Sequence, residues 1–239
     1  MSNTDRDNDR GRDRERHGAR HRSGNLTRRE LSRRIGLAAG ATLLASSFAR
    51  AASSPTPAQV EGPFHPIAEQ ADTDTDLSRI EGHTEPAQGE VILVHGRVTD
   101  VDGRPLEGAL VDVWQANHFG RYSHPKDPNT APLDPNFQGW ALINTDADGR
   151  YGFKTIKPGA YPLSFLGGDG WRCRHIHFQV SRPGSRKLTT QMYFQGDPLI
   201  EQDMEIAKAP ESLRHTLIAE STKDTSSGLP LYRFDIVLA

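Results

Sequence analysis

Two histidines separated by one residue are the strongest chemical signal in the chain. They are His175 and His177, within a Trp-Arg-Cys-Arg-His-Ile-His-Phe stretch that begins at Trp171. Alternate side chains of an extended strand share one face, so the two imidazoles would lie about 6–7 Å apart and could converge on one ion. Two tyrosines, Tyr122 and Tyr161, lie upstream in turn-rich sequence. If all four share a site, the phenols favour ferric iron, because a trivalent cation lowers the phenol pKa enough to bind phenolate.

The His-x-His motif alone leaves several metals and folds open. Copper, zinc and iron sites all use it, whereas a cupin-type site expects a Glu soon after the second histidine, and residues 178–182 contain none. A structural zinc site normally uses cysteines, and the chain has only Cys173. A ferrous facial triad would need His-x-Asp/Glu. Lone histidines and tyrosines in β-proteins are more often packing or hydrogen-bonding residues, so the interpretation depends on the four residues meeting.

The first 52 residues are predicted to be a disordered tail followed by an export signal. They hold twelve Arg and six acidic residues, a net charge of +6 in a chain of −2, so the remainder carries −8. The weakly apolar run 35–48 ends at Ala49-Arg50-Ala51, which is typical of a secretory signal and too short to span a bilayer. The Arg28-Arg29 pair favours the twin-arginine route. We therefore expect an exported protein, periplasmic or extracellular, without a stable membrane anchor. The acidic remainder argues against a nucleic-acid partner.

The rest of the chain reads as an extended arm and loop over residues 53–90 and a catalytic β-sandwich over 91–239. Asp-Gly pairs at 102–103 and 148–149 predict hairpin turns, and the Pro- and Asn-rich segment 117–138 predicts a long functional loop. Helix is scarce, with 213–220 as the best candidate. The fold class is thus all-β, a sandwich of mostly antiparallel strands with long active-site loops and little helix. The predicted strands are 91–98, 109–114, 141–143, 151–153, 175–180, 189–194 and 231–238.

Several sequence blocks, taken in order and spacing, resemble the intradiol ring-cleavage dioxygenases, and within them the protocatechuate 3,4-dioxygenase type. The resemblance runs from Glu61 to about Ile200. The blocks are Asp-Val-Trp-Gln-Ala-Asn at 112–117, Gly-Arg-Tyr at 120–122, Ala-Pro-Leu-Asp-Pro-Asn-Phe at 131–137, Thr-Ile-Lys-Pro-Gly at 155–159, Tyr-Pro at 161–162, Trp-Arg at 171–172, His-Ile-His-Phe at 175–178 and Gln-Met-Tyr-Phe at 191–194.

The resemblance implies an Fe(III) cofactor with four protein ligands. Tyr122 and His175 match the equatorial tyrosinate and histidine of the family. Tyr161 and His177 match the axial pair, and the axial tyrosinate is the one that leaves the metal when substrate chelates. Tyr161 is therefore expected to be catalytic as well as metal-binding.

Two further residues gain roles from the same resemblance. Arg172 matches the arginine beside the substrate ring, where a guanidinium would stabilise developing negative charge, so it is expected to be catalytic and substrate-binding. Gln191 matches a glutamine of the substrate pocket. The chain departs from the family at Leu163, where an aromatic residue is frequent, and at Cys173, where proline is common. We expect Cys173 to be a small packed residue rather than a reactive thiol.

The function implied is a non-haem Fe(III) dioxygenase that cleaves catecholic aromatics between the two hydroxyls with O₂, giving cis,cis-muconate-type products from a protocatechuate-like substrate. The partners implied are that catechol, O₂ and further copies of the chain or a second type of subunit. One alternative is a non-catalytic transthyretin-like or carboxypeptidase-regulatory β-sandwich, which does not need the tyrosines or the Arg-x-x-His-x-His pattern. Another is an accessory β subunit that is active only with a partner chain.

Overall fold

A computed structural model describes residues 53–68, 72 and 74–239. Within them, helix is limited to one α-helical turn, α1 (Met204–Ala207), and to 3-10 segments at Leu163–Leu166, Ile200–Gln202 and Glu211–Leu217. The predicted all-β class with little helix is confirmed. The strands are β1 (Val91–Asp100), β2 (Leu110–Trp114), β3 (Trp140–Asn144), β4 (Arg150–Ile156), β5 (Tyr161–Pro162), β6 (Trp171–Arg172), β7 (His175–Ser181), β8 (Leu188–Phe194), β9 (Ile218–Ala219), β10 (Ser221–Lys223), β11 (Pro230–Arg233) and β12 (Ile236–Leu238).

The strands form two main sheets. One has the order β10-β11-β1-β12, with β4 also paired to β1, and the other has the order β3-β2-β7-β8-β9. Strands β5 and β6 form a separate two-stranded ladder. Most pairings in the described part of the chain are antiparallel; β1 pairs in parallel with β11 and β12, and β8 with β9.

The two sheets enclose one apolar core. From the first sheet, β1 contributes Ile92, Val94 and Val98, all almost fully buried, in the alternating pattern of a strand with one face inward. Phe178 of β7 lies against ring side chains from the other sheet, with centroid distances of 5.9 Å to Tyr151, 6.1 Å to Phe153 and 5.0 Å to Phe234. These interdigitated rings fix how the two sheets sit against each other.

Strand β7 is buried on both faces. Ile176, Phe178 and Val180 point into the core, so the alternate residues His175 and His177 point the other way. That second face is covered by loops rather than by solvent, and each histidine is only 2% exposed. One strand therefore supplies both the centre of the core and the two imidazoles.

The two predicted Asp-Gly hairpins are wrong as strand pairings, although both turns are present. Gly103 and Gly149 adopt φ of 73° and 72°, the left-handed conformation such turns require. After the first turn, pairing stops at a single bridge, Thr99 with Pro105, and the chain crosses to the other sheet to form β2. Likewise β3 and β4 lie in different sheets. The partner of a strand is chosen by long-range packing, which local turn chemistry does not encode.

The predicted strand 231–238 is two strands, β11 and β12, that both pair with β1. The break falls at Phe234, whose amide nitrogen donates to the carbonyl oxygen of His95 at 2.8 Å. A Cβ at the neighbouring Gly96 would lie 1.8 Å from the Phe234 oxygen. Glycine is therefore required at position 96 for the C-terminal segment to cross β1.

The arm that begins at Ser53 runs along the edges of both sheets. The amide of Thr56 donates to the Val237 oxygen at 3.1 Å, and the amide of Gln59 donates to the Thr189 oxygen at 2.8 Å. The arm thus joins β12 of one sheet to β8 of the other. The predicted tail and export signal, residues 1–52, lie outside the described residues. In the part that the structure describes, no helix is long and apolar enough to cross a membrane.

Candidate metal centre

The two histidines of β7 lie beneath an aromatic layer formed by Trp114, Tyr122 and Tyr161. Their ring centroids are 4.8 Å apart. Trp114 of the neighbouring strand β2 pairs with His177 and stacks on its imidazole at 4.7 Å with an interplanar angle of 7°. A Cβ at Gly62 of the arm would lie 3.5 Å from Cε1 of the same imidazole. The plane of His177 is therefore set by stacking on one side and by close backbone approach on the other.

Tyr122 is positioned by the loop that follows β2. The side-chain oxygen of Asn117 accepts hydrogen bonds from the amides of Phe119 and Arg121, which closes a tight turn before the tyrosine. The amide of Tyr122 itself donates to a carboxylate oxygen of Asp127 at 2.7 Å. These local bonds fix the backbone from which the phenol projects.

Tyr161 reaches the same place through a second loop packed on the first. The amide of Gly159 donates to the backbone carbonyl oxygen of Asn117 at 2.9 Å. A Cβ at Gly120 would lie 2.5 Å from the backbone carbonyl oxygen of Ala160. Glycine at position 120, with φ of 79°, therefore permits the close contact of the two loops. The two phenol rings end 5.9 Å apart in an edge-to-face arrangement.

The four residues predicted as metal ligands are brought together. The Tyr122 hydroxyl oxygen lies 3.3 Å from Nε2 of His175 and 3.1 Å from Nε2 of His177. Tyr161 packs against His175 with ring centroids 5.7 Å apart. Nδ1 of His175 lies 2.7 Å from the Cys173 carbonyl oxygen, so Nδ1 carries the proton and Nε2 presents a lone pair to the centre.

Burial holds all four groups in their neutral forms when no cation is present. The pKa of Tyr122 is raised well above its ordinary value, first by burial and then by Tyr161. Burial also raises the pKa of Tyr161, against the opposing effect of Arg172. The pKa values of His175 and His177 are lowered well below the ordinary value, mainly by burial. Neutral imidazoles are the form that binds a metal, whereas the phenols need a strong cation to release their protons.

This donor set fits a ferric ion better than the common divalent alternatives. No cluster of three or more His, Cys, Asp or Glu side chains suited to a metal occurs among the described residues, so a ligand set here must include the tyrosines. The Tyr122 hydroxyl meets Nε2 of both imidazoles, and the Tyr161 ring packs against His175 beside them. Two phenolates and two neutral imidazoles would leave a bound Fe(III) with one net positive charge.

Arg172 lies beside the tyrosines in a buried network. Its Nε donates to Asp203 at 2.9 Å, and its Nη2 donates to the side-chain oxygen of Gln191 at 2.6 Å. Burial alone would lower the pKa of the guanidinium, but Tyr161 and Asp203 outweigh that effect and raise it, so Arg172 stays charged. Within the described residues its third nitrogen, Nη1, makes no hydrogen bond.

Gln191 takes part in this network rather than in the pocket wall. Its side-chain oxygen also accepts from the Tyr193 hydroxyl at 3.1 Å, and its amide nitrogen donates to the Val60 carbonyl oxygen at 2.8 Å. It is fully buried and does not line the pocket next to the centre. Its contacts orient Arg172 and hold the arm in place.

A pocket of about 130 Å³ opens onto the centre. Tyr161, His177 and Arg172 form its inner end, whereas Tyr122 and His175 do not line it. A larger cleft of about 720 Å³ lies between the start of the arm and the last strands, and none of the six predicted site residues borders it. The smaller pocket is the relevant one, because the donor groups converge there. Its wall is made of Val60, Gly62, Pro63, Phe64, Tyr161, Leu163, Leu166, Arg172, His177, Met204 and Glu205.

Sequence reasoning missed Asp203, which organises the network. Its carboxylate accepts from Nε of Arg172, from the amide of Cys173 at 2.9 Å and from the amide of Glu205 at 2.9 Å, the last of which caps α1. The capping position before Met-Glu-Ile-Ala is visible in the sequence, but its contact with an arginine thirty-one residues earlier is not. Cys173 is fully buried, and burial together with Asp203 raises the pKa of its thiol, as expected for a packed residue.

A second missed group supports the outer side of the aromatic layer. Asp112 accepts from Nε1 of Trp140 at 2.7 Å and lies 3.0 Å from Nε2 of His65. The His65 ring meets Trp114 edge-on at 4.6 Å. The chain of contacts from Asp112 through His65 to Trp114 ends on the imidazole of His177. Asp112 and Trp114 share strand β2, but His65 comes from the arm and Trp140 from β3, so no local pattern indicates the group.

The sequence matches known proteins over the region that carries this site. A family model described as Dioxygenase matches residues 60–239. The beta chain of protocatechuate 3,4-dioxygenase from Burkholderia cepacia is 49% identical over 169 residues, covering 69% of this chain and 71% of that protein. Catechol 1,2-dioxygenase 2 from Acinetobacter lwoffii is 39% identical over 162 residues, covering 64% of this chain but only 56% of the relative. The match thus spans little more than half of that relative's length.

Solved structures show the same fold. A 3-chlorocatechol 1,2-dioxygenase from Rhodococcus opacus 1CP superposes with a TM-score of 0.60 at 25% identity, covering 78% of this chain and 73% of that one. The dioxygenase domain of a dioxygenase and carbohydrate-binding fusion protein from Streptomyces sp. SirexAA-E superposes with a TM-score of 0.56 at 30% identity. The match covers 77% of this chain and 98% of that domain.

Proposed function

The chain belongs to the intradiol ring-cleavage dioxygenases, and from that premise we propose that it uses O₂ to cleave catecholic aromatics between their two hydroxyl-bearing carbons. The products are of the cis,cis-muconate type. The family match from 60 to 239 includes every residue of the centre. A protocatechuate-like substrate, meaning a ring with adjacent hydroxyls and a substituent on its far side, is supported by the 49% identity to a protocatechuate 3,4-dioxygenase beta chain.

The observation that carries this proposal is the meeting of the Tyr122 hydroxyl with Nε2 of both histidines at 3.1–3.3 Å. Tyr122, Tyr161, His175 and His177 would hold the ion. A catechol would chelate ferric iron bound there through both of its oxygens, and the iron would make the ring reactive towards O₂.

Tyr161 is the phenol suited to exchange with substrate, because it lines the pocket and Tyr122 does not. Burial raises the pKa of the Tyr161 phenol, so its oxygen would hold a proton taken from a catechol hydroxyl. Arg172, held by Asp203 and Gln191, lines the same pocket. A fixed guanidinium there stabilises negative charge that develops on the ring.

The test is oxygen consumption by the iron-loaded protein with catechol and with protocatechuate, together with ultraviolet detection of the muconate product. We expect uptake with a coloured protein, because tyrosinate-to-iron charge transfer absorbs visible light. A folded, iron-loaded protein that consumes no oxygen with any catechol would favour the alternative of a non-catalytic β-sandwich. Tyr122→Phe should lose the colour, whereas Tyr232→Phe, which lies outside the site, should keep it. That difference would assign the colour to the metal centre.

Export through the twin-arginine route and assembly into an oligomer remain parts of the proposal. The supporting observations are the paired arginines ahead of an apolar run in residues 1–52 and the match to a protein named as a beta chain. Replacing Arg28-Arg29 by Lys-Lys should retain the protein inside the cell. Light scattering with an activity assay on the chain expressed alone distinguishes a homo-oligomer from a subunit that needs a partner.

A further inference from the structure

The two histidines of the centre are held in different ways. Nδ1 of His175 lies 2.7 Å from the Cys173 carbonyl oxygen, and this contact fixes the rotation of its ring. Nδ1 of His177 is buried and has no hydrogen-bond partner among the described residues. Metal-binding histidines usually donate their second nitrogen to a carboxylate, a carbonyl oxygen or water. The orientation of His177 therefore depends on the groups that pack around its ring.

Trp114 is one of these groups, and it is itself positioned by packing. Its indole stacks on the His177 imidazole with centroids 4.7 Å apart. Its Nε1 is buried and also lacks a hydrogen-bond partner in the described part of the chain. The ring of His65 meets this indole edge-on, with centroids 4.6 Å apart. A displacement of His65 is therefore transmitted to the His177 imidazole through Trp114.

His65 is anchored to the outer face of the sheet. Its Nε2 lies 3.0 Å from one carboxylate oxygen of Asp112, and the other oxygen accepts from Nε1 of Trp140 at 2.7 Å. The side chains of His65 and Asp112 are 28% and 12% exposed, so the pair is largely shielded from solvent. Among the described residues, this is the only hydrogen bond that residues 62–68 form. The contact with Asp112 therefore fixes the position of this part of the arm.

The same part of the arm borders two of the four residues of the centre. A Cβ at Gly62 would lie 3.5 Å from Cε1 of His177, so the backbone of the arm packs along that imidazole. Phe64 packs against Tyr122 with ring centroids 5.1 Å apart. His65, which follows directly, thus acts on His177 both through Trp114 and through the arm.

We propose that His65, anchored by Asp112, is a positioning residue for His177, an inference that rests on the proposed iron-dependent function. Without this anchor, Trp114 and the arm gain freedom, and the His177 ring has no hydrogen bond of its own to keep it aimed at the centre. The His175 ring keeps its bond to the Cys173 carbonyl. Loss of His65 should therefore weaken the hold on iron in a protein that is still folded.

The experiment measures how fast the iron-loaded full chain gives up its metal to a strong ferric chelator. His65→Leu should release iron at least about tenfold faster than the wild-type chain, the scale on which supporting residues affect metal affinity. His83→Leu is the matched control, because His83 is exposed and its Nδ1 lies 2.9 Å from the side-chain oxygen of Asn136, away from the centre. The control should release iron at the wild-type rate.

A conservative variant and the visible spectrum sharpen the test. His65→Gln retains a donor for Asp112 but lacks the ring that meets Trp114, so its release rate should fall between those of the wild-type chain and His65→Leu. The tyrosinate-to-iron absorption band should shift in both His65 variants and not in His83→Leu, because a displaced His177 alters the environment of the metal. If His65→Leu does not fold, His65→Gln decides with the same two readouts.

Wild-type release rates and spectra in the His65 variants overturn the inference, as does equal acceleration in His83→Leu. A lower urea midpoint of the iron-free His65 variants, with release and spectrum unchanged, would show that the pair serves the fold alone. Oxygen uptake with catechol separates this inference from the proposed function. Faster iron release by His65→Leu in a chain that cleaves no catechol supports the inference and contradicts the function, whereas unchanged release in a chain that cleaves catechol contradicts only the inference.

Discussion

Asp203 and Asp197 allow the buried arginine network to be tested with an internal control. Each accepts hydrogen bonds from an arginine side chain, from a backbone amide near that arginine and from an amide two residues ahead of itself. The pairs differ in the burial of the arginine: Arg172 is 7% exposed and Arg174 is 38% exposed. Replacing each aspartate by asparagine keeps a side-chain oxygen that can accept from the backbone amide two residues later, but it removes the negative charge.

The expected losses of unfolding free energy differ because only Arg172 would remain as a buried charge without its counter-ion. Breaking a buried pair costs about 3–5 kcal/mol, so we expect Asp203→Asn to lose about 3 kcal/mol of unfolding free energy. Asp197→Asn should lose about 1 kcal/mol or less, because solvent screens the charge of Arg174, whose side chain is 38% exposed. For a urea dependence of about 2 kcal/mol per molar, the first variant unfolds about 1.5 M earlier.

The assay is urea unfolding of both variants with iron removed, so that metal binding does not mask the difference. Activity of the loaded proteins adds a second readout, in which Asp203→Asn should lower kcat through loss of Arg172 alignment and Asp197→Asn should not. Equal midpoints for the two variants would refute the reasoning that burial of Arg172 makes Asp203 its required counter-ion.

Other consequences are open to direct measurement. Tyr122→Phe should bind far less iron than the wild-type chain by elemental analysis, because a phenyl ring removes the oxygen shared with both imidazoles; full retention of iron would exclude it as a ligand. The iron-free protein should lose stability as pH falls below about 6.5: the pKa values of His175 and His177 are lowered in the folded state from 6.5, so the unfolded state binds protons first. Urea midpoints that do not change between pH 8 and pH 5.5 would contradict this. Cys173, buried with a raised pKa, should react with Ellman's reagent at pH 8 only after unfolding, and rapid labelling of the native protein would show an open site.

The sequence predicted those parts of the site that depend on local geometry. The alternation at His175 and His177 needs only an extended strand, and the apolar residues between and beyond them identify the opposite face as core. Tyr122 and Tyr161 were placed through sequence blocks with family resemblance, because nothing local makes two loops thirty-nine residues apart converge. Their contact depends on Gly120, whose role is visible only when Ala160 lies against it.

The parts that could not be predicted depend on contacts between distant segments. The turns at Gly103 and Gly149 were recognisable, but the strands that follow them pair across the sandwich with partners far along the chain. Asp203 resembles an ordinary helix cap until Arg172 is placed beside it. In the same way, His65 appears as part of a proline-rich arm, and its approach to Asp112 and Trp114 follows from the path of that arm.

The double burial of β7 has a consequence for the order of events in the cell. Both imidazoles take their positions from backbone pairing with β2 and β8 and from Ile176 and Phe178 on the reverse side, and all of these are contacts within the polypeptide. We therefore expect the folded chain to position both imidazoles without help from an ion, unlike a zinc finger, whose fold depends on its ion. Folded chain that was made without iron is therefore expected to become active when iron is supplied, with no new synthesis.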